Sequence, residues 1–91
     1  MISFEWDRRE AAESLRRHGV SFEEAPSAFR DALSHAVPDP DHAPEEERLL
    51  LMGESQAGRL LVVSFRENRD IFRLIIAREV NRAERKRYEE T

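Results

Sequence analysis

The chain of 91 residues has no cysteine, one tryptophan, one tyrosine and three glycines. Without cysteine there is no disulfide, no thiolate metal site and no thiol nucleophile, so any chemistry rests on oxygen and nitrogen groups. Lysine is nearly missing as well. Lys86 stands alone against fourteen arginines, a bias that genome composition explains as readily as a demand for bidentate phosphate binding. No segment resembles a membrane span or a signal peptide, which makes a cytoplasmic location the expectation. Internal repeats and low-complexity tracts are absent too, and nothing divides the chain, so residues 1–91 are expected to form a single domain with one modest core.

What is present is a composition of 40% hydrophobic and 37% charged residues with a net charge of −4. Taken alone, that charge argues against nucleic acid. Its distribution reverses the argument, because Arg69 to Tyr88 carries seven basic and three acidic residues. A local basic field binds phosphate even on a protein that is acidic overall, and the acidic remainder is free to receive a basic partner.

Ile2, Phe4 and Trp6 alternate with polar residues and predict a short first strand. Asp7 with Glu10 has capping-box spacing, Ala11, Ala12 and Leu15 form an apolar stripe, and Gly19 after His18 suits the left-handed end of a helix. Ser21 with Glu24 repeats the capping spacing for a second helix, with Val20 and Ala25 as its staple. Pro26 lies past the first turn and is expected to bend that helix or delay its start. Ser34 to Val37 reads as a brief edge strand, and Pro38, Pro40 and Pro44 mark a loop. Asn81 with Glu84 opens a final helix from Arg82 to Glu90.

The centre of the chain is the stretch Arg59 to Arg78, whose apolar runs Leu60–Phe65 and Ile71–Ala77 flank a turn at Glu67–Asp70. With Glu47–Glu54 it gives three consecutive antiparallel strands. A four-residue turn at Ser55–Gly58 would set Glu54 opposite Arg59 and Glu47 opposite Arg66, matching opposite charges at both ends. The expected fold is therefore α+β, an antiparallel sheet of about four strands with two N-terminal helices and one C-terminal helix. Both sheet faces are apolar in this register. The short last helix would cover one face only in part and leave surface such as Leu60, Val62 and Ile75 for a partner or a second copy.

Phe4-Glu5-Trp6-Asp7, Ala11-Ala12, the run Arg16 to Ala25, Pro38-Asp39, Glu47-Arg48, Gly58 to Val63, Ala77-Arg78 and Glu84-Arg85 through Tyr88-Glu89 together resemble the BrnT family. That resemblance implies a RelE-like fold and the ribonuclease toxin of a type II toxin–antitoxin pair, one that cuts RNA without a metal or other cofactor. It also implies a BrnA-like antitoxin of the ribbon-helix-helix type as partner, in a homodimer or a toxin–antitoxin heterotetramer. The chain differs from the family pattern at Glu10 (usually lysine), Ser14 (asparagine), Ala32 (proline) and Ile76 (serine). The differences at Glu10 and Ile76 keep one other reading in play, a catalytically silent binding or regulatory module, and the basic last helix keeps a second, a protein that binds nucleic acid without cutting it.

Metal-free RNA cleavage needs a base for the 2′-hydroxyl, cations for the phosphorane-like transition state and an acid for the leaving oxygen. Arg73 and Arg78 suit the cationic role, since arginine inside an apolar strand needs a reason. Pairing of Arg73 with Glu47 and a plain strand end at Arg78 are the structural alternatives. A spacing of five puts the two arginines on opposite faces unless a bulge intervenes. His18 is an acid–base candidate or a helix-end group, and Glu47 is a base or a strand partner of Arg66. Arg59, Arg66, Arg82, Arg85 and Lys86 are the expected RNA-backbone contacts, Tyr88 is an anchor for the last helix, and His42 is a weaker candidate in the proline loop.

Overall fold

The computed structural model describes residues 1–40 and 47–90. Its strands are β1 (Ser3–Glu5), β2 (His35–Pro38), β3 (Arg48–Glu54), β4 (Leu60–Asn68) and β5 (Ile71–Glu79), and its helices are α1 (Arg8–His18), α2 (Ala25–Phe29) and α3 (Arg82–Glu89). One sheet takes them in the order β1-β5-β4-β3-β2. The α+β class holds, but the sheet is mixed and has five strands instead of about four antiparallel ones. Both short segments join it, β2 beside β3 and β1 parallel to β5.

The helices begin and end where side chains satisfy the backbone. The Asp7 carboxylate accepts from the amides of Arg9 at 2.7 Å and Glu10 at 3.1 Å, and Gly19 ends α1 at φ 72°. Pro26 delays the second helix, which starts at Ala25, while the Ser21 hydroxyl accepts from the Glu24 amide in the preceding turn at 3.2 Å. On α3 the expected capping box is complete, with Asn81 and Glu84 exchanging bonds of 2.8 and 2.9 Å.

The two hairpins set the register. The Ser55 amide donates to the Arg59 carbonyl at 2.8 Å, which leaves a three-residue loop closed by Gly58 at φ 78°. Glu54 therefore faces Leu60, and Arg48 faces Arg66, one residue away from the expected pairs Glu54–Arg59 and Glu47–Arg66. At the second hairpin only Arg69 and Asp70 turn the chain, with Arg69 at φ 57°. Further along, Phe65 faces Leu74 while Ser64 faces Ile76, so Ile75 is an extra residue and β5 bulges there.

One sheet face carries Leu49, Leu51, Leu61, Val63, Phe65, Phe72, Leu74 and Ala77, packed with Val20, Phe22, Ala25 and Ala28. Phe29 links the aromatic part of this core, with ring centroids 4.9 Å from Phe4 and 5.0 Å from Phe65. Gly53 lets α2 settle on β3, because a Cβ there would collide with the Ala28 carbonyl oxygen and the Ser34 side chain. Helix α1 lies along the free edge of β5, where the Ser14 hydroxyl donates to the Ala77 carbonyl and accepts from its amide, both at 3.2 Å. Those two bonds satisfy edge groups that β1 is too short to reach.

The second face is where sequence and structure part. Helix α3 crosses it, tied at one end by Glu84 to Arg78 and at the other by Tyr88, which stacks on His35 and donates to Asp31. Leu60 and Val62, expected to be exposed, are 5% and 3% accessible. On the same face Val37 and Ile76 remain 46% and 37% exposed, so the uncovered apolar surface lies at these residues instead of at Leu60 and Val62.

Candidate RNA-binding face

Directly opposed residues of neighbouring strands share a face, so the ladder pairs order the second face into rows. The row His35, Met52, Val62, Arg78 runs beneath α3, the next row is Val37, Leu50, Ser64, Ile76, and the last is Arg48, Arg66, Arg73, Glu5. Three arginines thus stand side by side on consecutive strands. Like charges directly opposite one another destabilise a sheet, and a bound polyanion reverses that sign.

The bulge at Ile75 brings Arg73 and Arg78 to this face together. In a regular strand their spacing would have separated them. Arg73 is partly exposed, with Glu5 at 3.6 Å and Glu10 at 3.9 Å, separations at which both carboxylates moderate its charge without a tight fork. Arg78 is held more firmly. Its two terminal nitrogens donate to Glu84 at 2.8 Å each, and one also donates to the Glu79 carbonyl at 3.2 Å. Glu84 raises the Arg78 pKa further above its usual range, and Arg78 holds the Glu84 carboxyl below its own. A guanidinium has five N–H groups, so these bonds leave two for a ligand.

Beside Arg78 is a cavity of about 140 Å³ lined by Asp39, Leu50, Val62, Ser64, Ile76 and Arg78. Asp39 and Ser64 were not among the residues singled out from sequence as site candidates. Asp39 carried a weak signal as an acidic residue beside Pro38 at a strand end; Ser64 carried none, being one polar residue in an apolar run.

The other candidates spread out. Glu47 immediately precedes β3, where Arg48 takes the place opposite Arg66 expected for it, and it lines a cleft with Pro38, Arg48, Leu49, Glu67 and Arg69. His18 is exposed at the end of α1, on a groove whose floor is Ile75 and Ile76. Ile76 therefore separates the His18 groove from the Ser64 cavity. Arg59 is at the far end of β4, where its guanidinium donates to both Glu24 oxygens and to the Gly19 carbonyl. Glu24 raises the Arg59 pKa, and Arg59 with Ser55 holds the Glu24 carboxyl down. Arg82, Arg85 and Lys86 are exposed on α3. His42 lies outside the described residues.

Among the described residues no group of three or more His, Asp or Glu side chains is placed to hold a metal ion. No helix is long and apolar enough to cross a membrane.

A family model described as the ribonuclease toxin BrnT of type II toxin–antitoxin systems matches residues 6–84. Among solved structures, the crystal structure of the Brucella abortus ribonuclease toxin BrnT superposes with a TM-score of 0.70 at 16% sequence identity, covering 90% of this chain and 100% of that one. At that identity the likeness speaks for the fold. No curated protein matches the chain.

Proposed function

The chain belongs to the BrnT family of ribonuclease toxins of type II toxin–antitoxin systems, and from that premise we propose that it binds RNA across the arginine row of its second sheet face and cuts it there without a metal, in the cytoplasm. The observation that carries this reading is the row Arg48, Arg66, Arg73, three like charges opposed on neighbouring strands.

In the proposed reaction the 2′-hydroxyl oxygen attacks the adjacent phosphorus, the bond to the 5′-oxygen breaks, and a cyclic phosphate and a free 5′-hydroxyl result. Arg73 and the two remaining N–H groups of Arg78 offset the charge that builds on the phosphorane. Arg66 tracks the backbone beside them, and Arg82, Arg85 and Lys86 extend the track along α3. Glu47 and His18 lie at separate clefts, so a single scissile phosphate uses one of them at most for proton transfer. Arg59 contributes to the fold through Glu24. A BrnA-like antitoxin of the ribbon-helix-helix type, in a heterotetramer with two copies of this chain, would inhibit by covering the arginine row.

The test is incubation of the purified protein with one defined RNA in excess chelator. Cleavage at discrete sites with 5′-hydroxyl ends is the expected result. Tight binding with no cleavage would favour the non-cutting reading, and neither binding nor cleavage the silent module.

A further inference from the structure

The row between α3 and the arginines is apolar except at one residue. Ser64 is 4% exposed, and its hydroxyl has no hydrogen-bond partner among the described residues. A buried hydroxyl left unmatched costs ~1–3 kcal/mol, which alanine at the same place would avoid. It lines the cavity of about 140 Å³ together with Arg78 and Asp39, the latter 6% exposed. A single water needs only ~10–15 Å³ by the same measure, so a larger group fits.

The lining constrains what that group is. Arg78 offers only donors, Asp39 offers a carboxylate acceptor, and Ser64 does either. An anion entering the cavity would meet Asp39, and a cation would meet Arg78. A neutral hydroxyl suits this lining, because it supplies the partner that Ser64 lacks and can also accept from Arg78 or donate to a further lone pair of the Asp39 carboxylate. The apolar walls of Leu50, Val62 and Ile76 suit the carbon frame that carries it. Arg66 is two residues from Ser64 on β4, ~7 Å along the strand at ~3.4 Å per residue. That distance is within the span of one nucleotide.

We infer that this cavity is a ribose subsite, in which Ser64 and Asp39 hold the 2′-hydroxyl of one nucleotide while its phosphate rests on the arginine row. The inference deepens the RNA-cleavage reading and rests on it for the orientation of the chain. It gives the protein a means of distinguishing RNA from DNA, since a deoxyribose leaves the Ser64 hydroxyl buried and unmatched.

Nucleoside 3′-monophosphates test it, because they carry the ribose and phosphate and cannot be cut. The four ribonucleotides and their four 2′-deoxy counterparts are titrated calorimetrically into the wild type and Ser64→Ala. The wild type should bind the best ribonucleotide at least about tenfold more tightly than its deoxy form, and Ser64→Ala should bring that ratio to about threefold or less. The variant should melt at the wild-type temperature or above it; a structural hydroxyl would lower it. Equal wild-type affinity for both sugars, a preference that survives in Ser64→Ala, or no binding of any of the eight nucleotides would each overturn the subsite. Cleavage of long RNA is scored separately: a protein that cuts RNA but shows no sugar preference loses only the subsite. One that prefers ribose but cuts nothing loses only the nuclease reading.

Discussion

At the scale of single residues, arginines of similar appearance in the sequence do different things. Arg73 has carboxylates only at 3.6 and 3.9 Å and is partly exposed, so its ion pairs add little to stability. Arg73→Ala is therefore expected to lower the rate of RNA cleavage at least ~10-fold, ~1.4 kcal/mol of transition-state stabilisation, while shifting unfolding by no more than ~0.5 kcal/mol. Denaturant melts and single-turnover cleavage of one RNA read both numbers; an undiminished rate removes Arg73 from the site. Arg59 should behave in the opposite way. Glu24 is largely buried, and its carboxyl is held below its ordinary 4.5 first by Arg59 and then by Ser55. Because the folded value lies below the unfolded one, the stabilisation is complete above pH 4.5 and drains as pH falls through the lowered value. Glu24→Gln should cost ~1–2 kcal/mol near neutral pH, flatten the acid limb of the stability curve and leave cleavage intact. Melting temperatures from neutral pH down to about pH 3 decide it, and an unchanged acid limb would show that the pair carries no such linkage.

At the scale of elements, the hairpins explain what could and could not be read from sequence. Strand and helix identities were legible because periodicity and capping residues mark them locally: Asp7, Gly19, Asn81 and Glu84 all sit where their chemistry requires. Register was not legible, because it depends on whether Ser55–Gly58 turns the chain with four residues or three. The Ser55–Arg59 bond makes it three. One residue of slip moves Leu50 and Met52 from the core to the second face and brings Leu49 and Leu51 inward. The bulge at Ile75 had no signal either, since no glycine marks it within the apolar run. Yet it alone puts Arg73 and Arg78 on one face. Three of the four departures from the family pattern, Glu10, Ser14 and Ile76, line one groove between α1 and β5, a proximity that residue numbers 10, 14 and 76 conceal. Helix α3 hangs on two clasps, Arg78–Glu84 and Tyr88–Asp31. Asp31 pushes the Tyr88 hydroxyl up to about 12, which makes the bond secure until pH rises through that value. Tyr88→Phe keeps the ring on His35 and removes the bond to Asp31, so it should cost ~1 kcal/mol and speed amide exchange in residues 82–89 more than in β4. Uniform acceleration across the sheet would mean that α3 and the sheet open as one unit.

At the scale of the whole molecule, net charge and local charge make opposite predictions for RNA. The protein carries −4 overall and spans 31 × 28 × 27 Å, whereas the Debye length in 0.15 M salt is ~8 Å. At that ionic strength an RNA strand lying on Arg48, Arg66 and Arg73 is screened from most of the acidic surface and feels the row beneath it. If the row governs binding, salt competes with the arginines and affinity falls as salt rises. With single-stranded RNA each neutralised phosphate contributes a slope of ~−0.7 in log K against log salt, so three arginines give ~−2. If net charge governed instead, screening would relieve the repulsion and affinity would rise with salt. The sign alone separates the two cases. The measurement is fluorescence anisotropy with a 2′-O-methyl oligonucleotide, which cannot be cut, from about 0.05 to 0.3 M salt. Arg66→Ala should make the slope shallower by ~0.7 and weaken binding similarly for every sequence, because it touches backbone and not bases. Replacing exposed Arg30, which lies beside Glu54 at the end of β3 remote from Arg48, should leave the slope alone. A flat or rising curve for the wild type, or equal slope changes for Arg66 and Arg30, would take RNA off this face.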